Sequence, residues 1–261
     1  MTMPTTPEAK KQGTEYVVRF KLRQRIEHIA LIIVFTLLAV TGLLQRYYTF
    51  GPAEWLILNL GGIETLRAIH RTLGIIFSFG FLYHVAIIIS DIARRKRLSM
   101  LVSRKDFTDV VDSLKYSAGR GGPPQFGRYN YRQKFEYWGL MFGSIIITIT
   151  GLVLMFPVIV TRILPGQVVA ASVQIHGWEA TLAVLTILVW HLYEVVLRPD
   201  IFPADTSIFT GRISKERLME EHSLDYQEQF EPANAPIAQP ERPLPKAQPI
   251  RRQGPEAPLA T

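Results

Sequence analysis

The 261 residues include no cysteine. That absence excludes a disulfide framework, cysteine-ligated zinc, iron–sulfur clusters and covalently attached c-type haem. Any metal or cofactor must be held by His, Met, Tyr or carboxylate, and the chain has only six histidines to weigh. Negative charge is also short, with 22 Asp+Glu against 29 Lys+Arg and a formal net charge of +7. A basic balance invites a nucleic-acid reading. Here, however, the cations are clumped between long runs almost free of charge. That distribution excludes an ordinary soluble basic domain and argues against nucleic acid as a partner.

Four apolar runs, about residues 26–48, 68–92, 135–160 and 173–197, are what the chain has instead. Each approaches the roughly 20 residues needed to cross about 30 Å of hydrocarbon. The expected fold is all-α, an integral membrane four-helix bundle in a lipid bilayer. Residues 1–18 are polar and predict a flexible N-terminus with no signal peptide. Six Lys+Arg precede the first run, eleven lie between the second and third, eight follow the fourth, and four remain for the other connections. The positive-inside rule then places both termini and the long middle loop in the cytoplasm, with 49–67 and 161–172 facing out.

The middle loop carries its own pattern. From Ser103 to Tyr116, Phe107, Val110, Val111 and Leu114 recur at helical spacing. This predicts a cytoplasmic surface helix, lying in the headgroup layer or packed under the bundle. The run GRGGPPQFG at 119–127 ends it. The membrane domain is expected over 19–222. Residues 223–261 are expected to be a disordered tail, with eight prolines in the last 31 residues.

An internal repeat is visible. The first run reads I-E-H at 26–28 and T-G-L at 41–43; the third reads F-E-Y at 135–137 and T-G-L at 150–152. His28 to Gly42 and Tyr137 to Gly151 are both 14 residues apart. The second and fourth runs each carry a histidine at the outer end, His70 and His176, and another deeper in, His84 and His191. The chain reads as two copies of a two-helix unit.

Ionisable groups inside a span are costly and therefore functional candidates. The second and fourth runs cross in the same direction, so His70 and His176 share an outer level, and His84 and His191 an inner one, roughly 21 Å away. Facing imidazoles at one depth suit the two axial positions of a haem iron, and a b-type haem held so needs no cysteine. Gly42, Gly74 and Gly151 would let a flat macrocycle approach the backbone, or let helices pack closely. His28 lies at the inner end of the first run, so three histidines compete for one inner pair. His222 reads as a surface residue. Arg67 and Arg71 beside His70, and Arg25 before His28, suit propionate carboxylates or interfacial snorkelling.

The residues that carry a family resemblance are E-H-x-A-L-I-I-V-F-x-L-L-A-V-T-G-L from Glu27, R-A-I-H-R-T-L-G from Arg67 and G-R-Y-N-Y-R-Q-K from Gly127. Further markers are P-G-Q-V-V at 165–169, I-H at 175–176, H-L-Y at 191–193 and G-R-I-S from Gly211. Over about 19–222 the chain resembles the di-haem cytochrome b (gamma) subunits of membrane-bound formate dehydrogenases and their nickel–iron hydrogenase relatives. The resemblance implies His70 and His176 as outer-haem ligands and His28 and His191 as inner-haem ligands, with a quinone pocket near Asn130. By extension Tyr131, Arg132 and Gln133 line that pocket. It also implies an iron–sulfur subunit and a catalytic subunit as partners, menaquinone or ubiquinone as electron acceptor, and the inner membrane of a prokaryote.

The chain departs from that pattern in three places. His84 is extra and stands as a rival inner ligand or as a ligand to a third haem. His176 and His191 are 15 apart where the family has 14, which predicts a turned ring or a local change in the helix. The Pro-rich tail has no counterpart. Glu194 and Glu27, beside His191 and His28, are candidate proton carriers or plain interfacial carboxylates. Alternative readings are a cytochrome b serving a multihaem c-type cytochrome or another molybdenum enzyme, and a haem-free membrane anchor or transporter.

Overall fold

The computed structural model describes residues 14–96 and 98–231. Within them four helices are long and apolar enough to cross a membrane: α1 (Leu22–Arg46), α3 (Gly62–Ala93), α5 (Tyr131–Met155) and α7 (Gln167–Leu197). Helices are forced on such runs, because every backbone N–H and C=O must be satisfied internally where no water is present. α1 packs most extensively on α3, and α5 on α7, with lighter contacts of α3 on α5 and α1 on α7. The bundle is therefore two helix pairs, the two copies visible in the repeat. Its outer surface is apolar: Ile33, Phe79, Phe142, Ile149 and Val189 are all exposed. In water that would be an unpaid cost; against lipid it is the stabilising surface.

Several boundaries differ from those read along the sequence. α5 stops at Met155 rather than 160, because Pro157 has no N–H and pushes Phe156 out of helical geometry. A separate turn, α6 (Pro157–Val160), follows. α3 begins at Gly62, six residues ahead of expectation, after Gly61 and Gly62 take φ of +93° and +86°. The stretch expected as a plain connection contains α2 (Gly51–Asn59), with Pro52 in its first turn. α2 lays Ala53 and Ile57 against Leu44 and Leu66, the one buried apolar cluster at the outer end.

The side of the bundle that carries the long middle loop is more structured than its composition suggests. α4 (Arg104–Ser117) is the surface helix, begun by Ser103, whose backbone N–H donates to Asp106 at 2.6 Å. Its polar side faces the bundle: Asp106 and Asp109 are buried, and Lys134 of α5 donates to both Asp106 oxygens at 2.8 and 3.0 Å. Phe107, Val111 and Leu114 point away and are exposed, which suits the headgroup layer.

Two expectations need correction here. Residues 1–18 are not uniformly flexible, since β1 (Tyr16–Val18) pairs antiparallel with β2 (Arg212–Ser214), Val17 opposite Ile213. The tail does not begin at 223, because after α8 (Ser207–Thr210) and α9 (Lys215–Glu221) the chain forms α10 (Ser223–Phe230). The proline-rich stretch from 232 onward lies outside the described residues.

A buried polar knot ties this cap together. Arg19, 3% exposed, meets Asp225 at 3.3 Å and His222 Nε2 at 3.0 Å, and donates to the Arg128 carbonyl. His222 is thus no surface residue: it is 2% exposed, and its Nδ1 donates to the Gly127 carbonyl at 2.8 Å. Burial, with the Arg19 charge beside it, pushes the His222 imidazole down to about 3. Asp205 is held below the usual carboxylate range: burial opposes this but is outweighed by hydrogen bonds from Arg217 and Ser207.

Candidate functional site

The histidines fall at two levels of the bundle. At the outer level the rings of His70 (α3) and His176 (α7) face each other with centroids 6.3 Å apart, nearly perpendicular at 78°. Each is held by the threonine of a T-G-L motif. Thr41 Oγ1 lies 2.8 Å from His70 Nδ1, and Thr150 Oγ1 lies 3.0 Å from His176 Nδ1. Both hydroxyl protons are spent on helix carbonyls, Leu37 and Ile146, each at 2.7 Å. The hydroxyl oxygens therefore accept from the imidazoles, which fixes the proton on Nδ1 and leaves Nε2 as the nitrogen with the lone pair. The glycines make room for this: a Cβ on Gly42 would stand 3.2 Å from His70 Cε1, and one on Gly151 3.3 Å from His176 Cε1. Gly74, by contrast, has no protein atom near the place of a Cβ.

At the inner level the repeat persists with one difference. Glu136 of α5 accepts from His191 Nδ1 at 3.2 Å, and Glu27 of α1 faces His84 Nδ1 at 2.9 Å. His191 then faces His28, ring centroids 6.1 Å apart, tilted by 41°. His84 faces Tyr137, the residue that occupies the place of His28 in the second copy. There His84 Nε2 and the Tyr137 hydroxyl are directly hydrogen-bonded at 2.9 Å. Of the two rivals, His28 is thus the one brought opposite His191. The 15-residue spacing is absorbed where α7 winds in wider π turns over Thr186–His191, and a second π stretch follows at Tyr193–Leu197. A π turn takes up one extra residue and returns the following side chains to the face they would otherwise leave.

These pairs have a definite chemical capacity. Two imidazoles that each place a nitrogen about 2 Å from one metal have ring centroids roughly 6 Å apart, and the observed 6.1 and 6.3 Å match that separation. Among the described residues no group of three or more His, Asp or Glu converges to hold a metal unaided. Two axial ligands instead suit an iron whose equatorial positions a porphyrin supplies. The His84–Tyr137 pair leaves no such gap.

The other expected site residues are placed as follows. Asn130 caps α5: its Oδ1 accepts from Gln133 N at 2.9 Å, while Gln133 Oε1 accepts from Asn130 N at 3.1 Å. Tyr131 stacks near Phe126 at 6.1 Å. Arg132 meets Glu194 at 3.5 Å, and Glu194 also pairs with Arg198 at 2.9 Å, so both Glu194 oxygens are occupied. Arg71 is exposed and unpaired; Arg67 pairs with Glu64 at 2.6 Å. Sequence reasoning passed over Glu136, Tyr137 and the two threonines. The repeat held the signal for all of them, since E-H and E-Y, and the two T-G-L motifs, align.

A family model described as prokaryotic cytochrome b561 matches residues 19–210. The cytochrome b556(Fdn) subunit of the nitrate-inducible formate dehydrogenase of Escherichia coli (strain K12) is 24% identical over 216 residues, covering 82% of this chain and 92% of that protein. The cytochrome b556(fdo) subunit of an Escherichia coli formate dehydrogenase is 24% identical over 187 residues, 69% of this chain and 79% of its own. The formate dehydrogenase cytochrome b556 subunit of Haemophilus influenzae is 26% identical over 177 residues, 68% and 69%. Two-level histidine placement, the paired threonines and this match along most of the chain agree: the protein belongs to the prokaryotic cytochrome b561 family, and is a multi-pass membrane cytochrome b of electron transfer.

Proposed function

We propose that the chain is a di-haem cytochrome b that moves electrons across the prokaryotic inner membrane, between an external redox partner and the quinone pool. The observation that carries this reading is the pair of imidazole pairs, one at each end of the bundle, each spaced for an axially held metal. When bound, a b-type haem supplies a one-electron couple. His70 and His176 hold the outer one and His28 and His191 the inner. Thr41 and Thr150 orient the outer imidazoles, and Arg71 is free for a propionate. The relatives are named as cytochrome subunits of formate dehydrogenases, which supports membership of a respiratory oxidoreductase complex; an iron–sulfur subunit and a catalytic subunit would be its other members.

Menaquinone or ubiquinone would meet the inner end near Asn130, Tyr131, Arg132 and Gln133. The amide nitrogens of Asn130 and Gln133 stay uncommitted while their oxygens cap α5. Glu194 serves there as part of an ion-pair network rather than as a free proton carrier. The cation distribution supports cytoplasmic termini.

Haem content and a reduced-minus-oxidised spectrum of the purified chain test the reading. Two haems per chain are expected. His28→Ala is expected to hold one haem and His84→Ala two. Three haems in the unaltered chain, or loss of one in His84→Ala, overturns the assignment, and absent b-type bands overturn haem binding altogether.

A further inference from the structure

The outer imidazoles rest on neutral hydroxyls, whereas His191 rests on a carboxylate. Glu136 lies 3.2 Å from His191 Nδ1, is 19% exposed in its side chain, and leaves its second oxygen, Oε1, buried without a hydrogen-bond partner. The facing His28 has a buried Nδ1 with no partner. Neither Lys nor Arg among the described residues pairs with Glu136; its hydrogen-bond partner there is His191. The repeat shows that this is a built contact. Glu27 stands against His84 at 2.9 Å in the equivalent place, so a glutamate set one helix away from an inner histidine occurs twice.

We propose that Glu136 is a positioning and potential-setting residue: through His191 it orients the inner axial ligand and lowers the reduction potential of the inner haem relative to the outer one. The inference rests on the di-haem reading. Two physical steps support it. A carboxylate accepting from the distal nitrogen fixes the imidazole's tautomer and raises its basicity as a ligand. A negative charge in low dielectric also favours the more positive, oxidised state of the neighbouring centre, because reduction adds one electron and removes one unit of that positive charge. A threonine hydroxyl supplies the orientation without the charge. The two levels of one bundle are thereby given different potentials, by a carboxylate behind His191 at one and hydroxyls at the other.

Redox titration of the full chain in membranes, following haem absorbance, tests this. Glu136→Gln keeps shape and hydrogen bonding but removes the charge. Two haems and an upward shift confined to the inner step are expected, the inner step being the one missing from His28→Ala. An inner potential that does not move, or an outer one that moves as far, overturns the proposal. If Glu136→Gln fails to hold the inner haem, Glu136→Thr decides: it offers a neutral hydroxyl like those at the outer level, so an inner potential above that of the unaltered chain supports the proposal and one left in place overturns it. If the unaltered chain lacks two haems, it is the di-haem reading that has failed.

Discussion

The two histidine levels are built by the same repeat and differ in chemistry. The outer one is symmetric: threonine, glycine and histidine meet twice, with nearly equal distances. The inner one is asymmetric. One half holds two imidazoles apart, and the other closes a histidine directly onto a tyrosine hydroxyl. A single residue difference between the copies, His28 against Tyr137, separates an open pair from a closed one. The lesson is that a duplicated helix pair conserves the backbone framework, and the side chain at one register decides whether a gap for a metal exists.

Removing an outer histidine is the largest blow to this comparison. His70→Ala or His176→Ala should reduce the haem count from two to one and leave the inner spectrum in place, checked by haem extraction. Loss of both haems would show that the levels are not independent. Filling the glycine sites comes next. Gly42→Leu and Gly151→Leu place side chains where even a Cβ stands 3.2–3.3 Å from an imidazole carbon, so each should displace its ring and sharply lower outer occupancy. Equal damage by the two sharpens the symmetry; damage by only one breaks it.

The threonines carry a smaller effect. Thr41→Val and Thr150→Val should each weaken outer haem retention about 10–100-fold, since each imidazole loses the acceptor that fixes its proton. The inner haem should be unaffected, as measured by haem transfer to an acceptor protein.

The last prediction separates the levels through the cap, which covers only the inner end. His222 is buried with its folded value pushed down to about 3 from 6.5. Between those values the unfolded cap binds more protons than the folded one, so the cap loses stability as pH falls from about 6.5 toward about 3. Hydrogen exchange should show α9 and α10 opening over that window. His222→Gln should flatten the dependence.

Much of this was legible along the chain, and the misses have physical reasons. The four spans were visible because hydrocarbon demands long uncharged runs, a signal carried by each segment alone. The pairing of His70 with His176 followed from direction and depth. The choice between His28 and His84 did not, because it depends on which face each helix turns to its neighbours. α2 was missed since its apolar residues lie in a short run that acquires a core only by folding onto Leu44 and Leu66. β1 and His222 were misread for the same reason: three residues make a strand, and a histidine becomes buried, only when segments some 200 residues apart meet.

The sequence by itself determined the membrane architecture, the two-copy plan and the exclusion of any cysteine-held cofactor. Those follow from composition and period, which act locally. Only the tertiary structure decided which imidazoles stand across a gap of metal-holding width, how π turns absorb the extra residue before His191, and that a carboxylate stands behind His191 and hydroxyls behind His70 and His176. Those are relations between helices, set by rotation and approach distance, and no single segment encodes them.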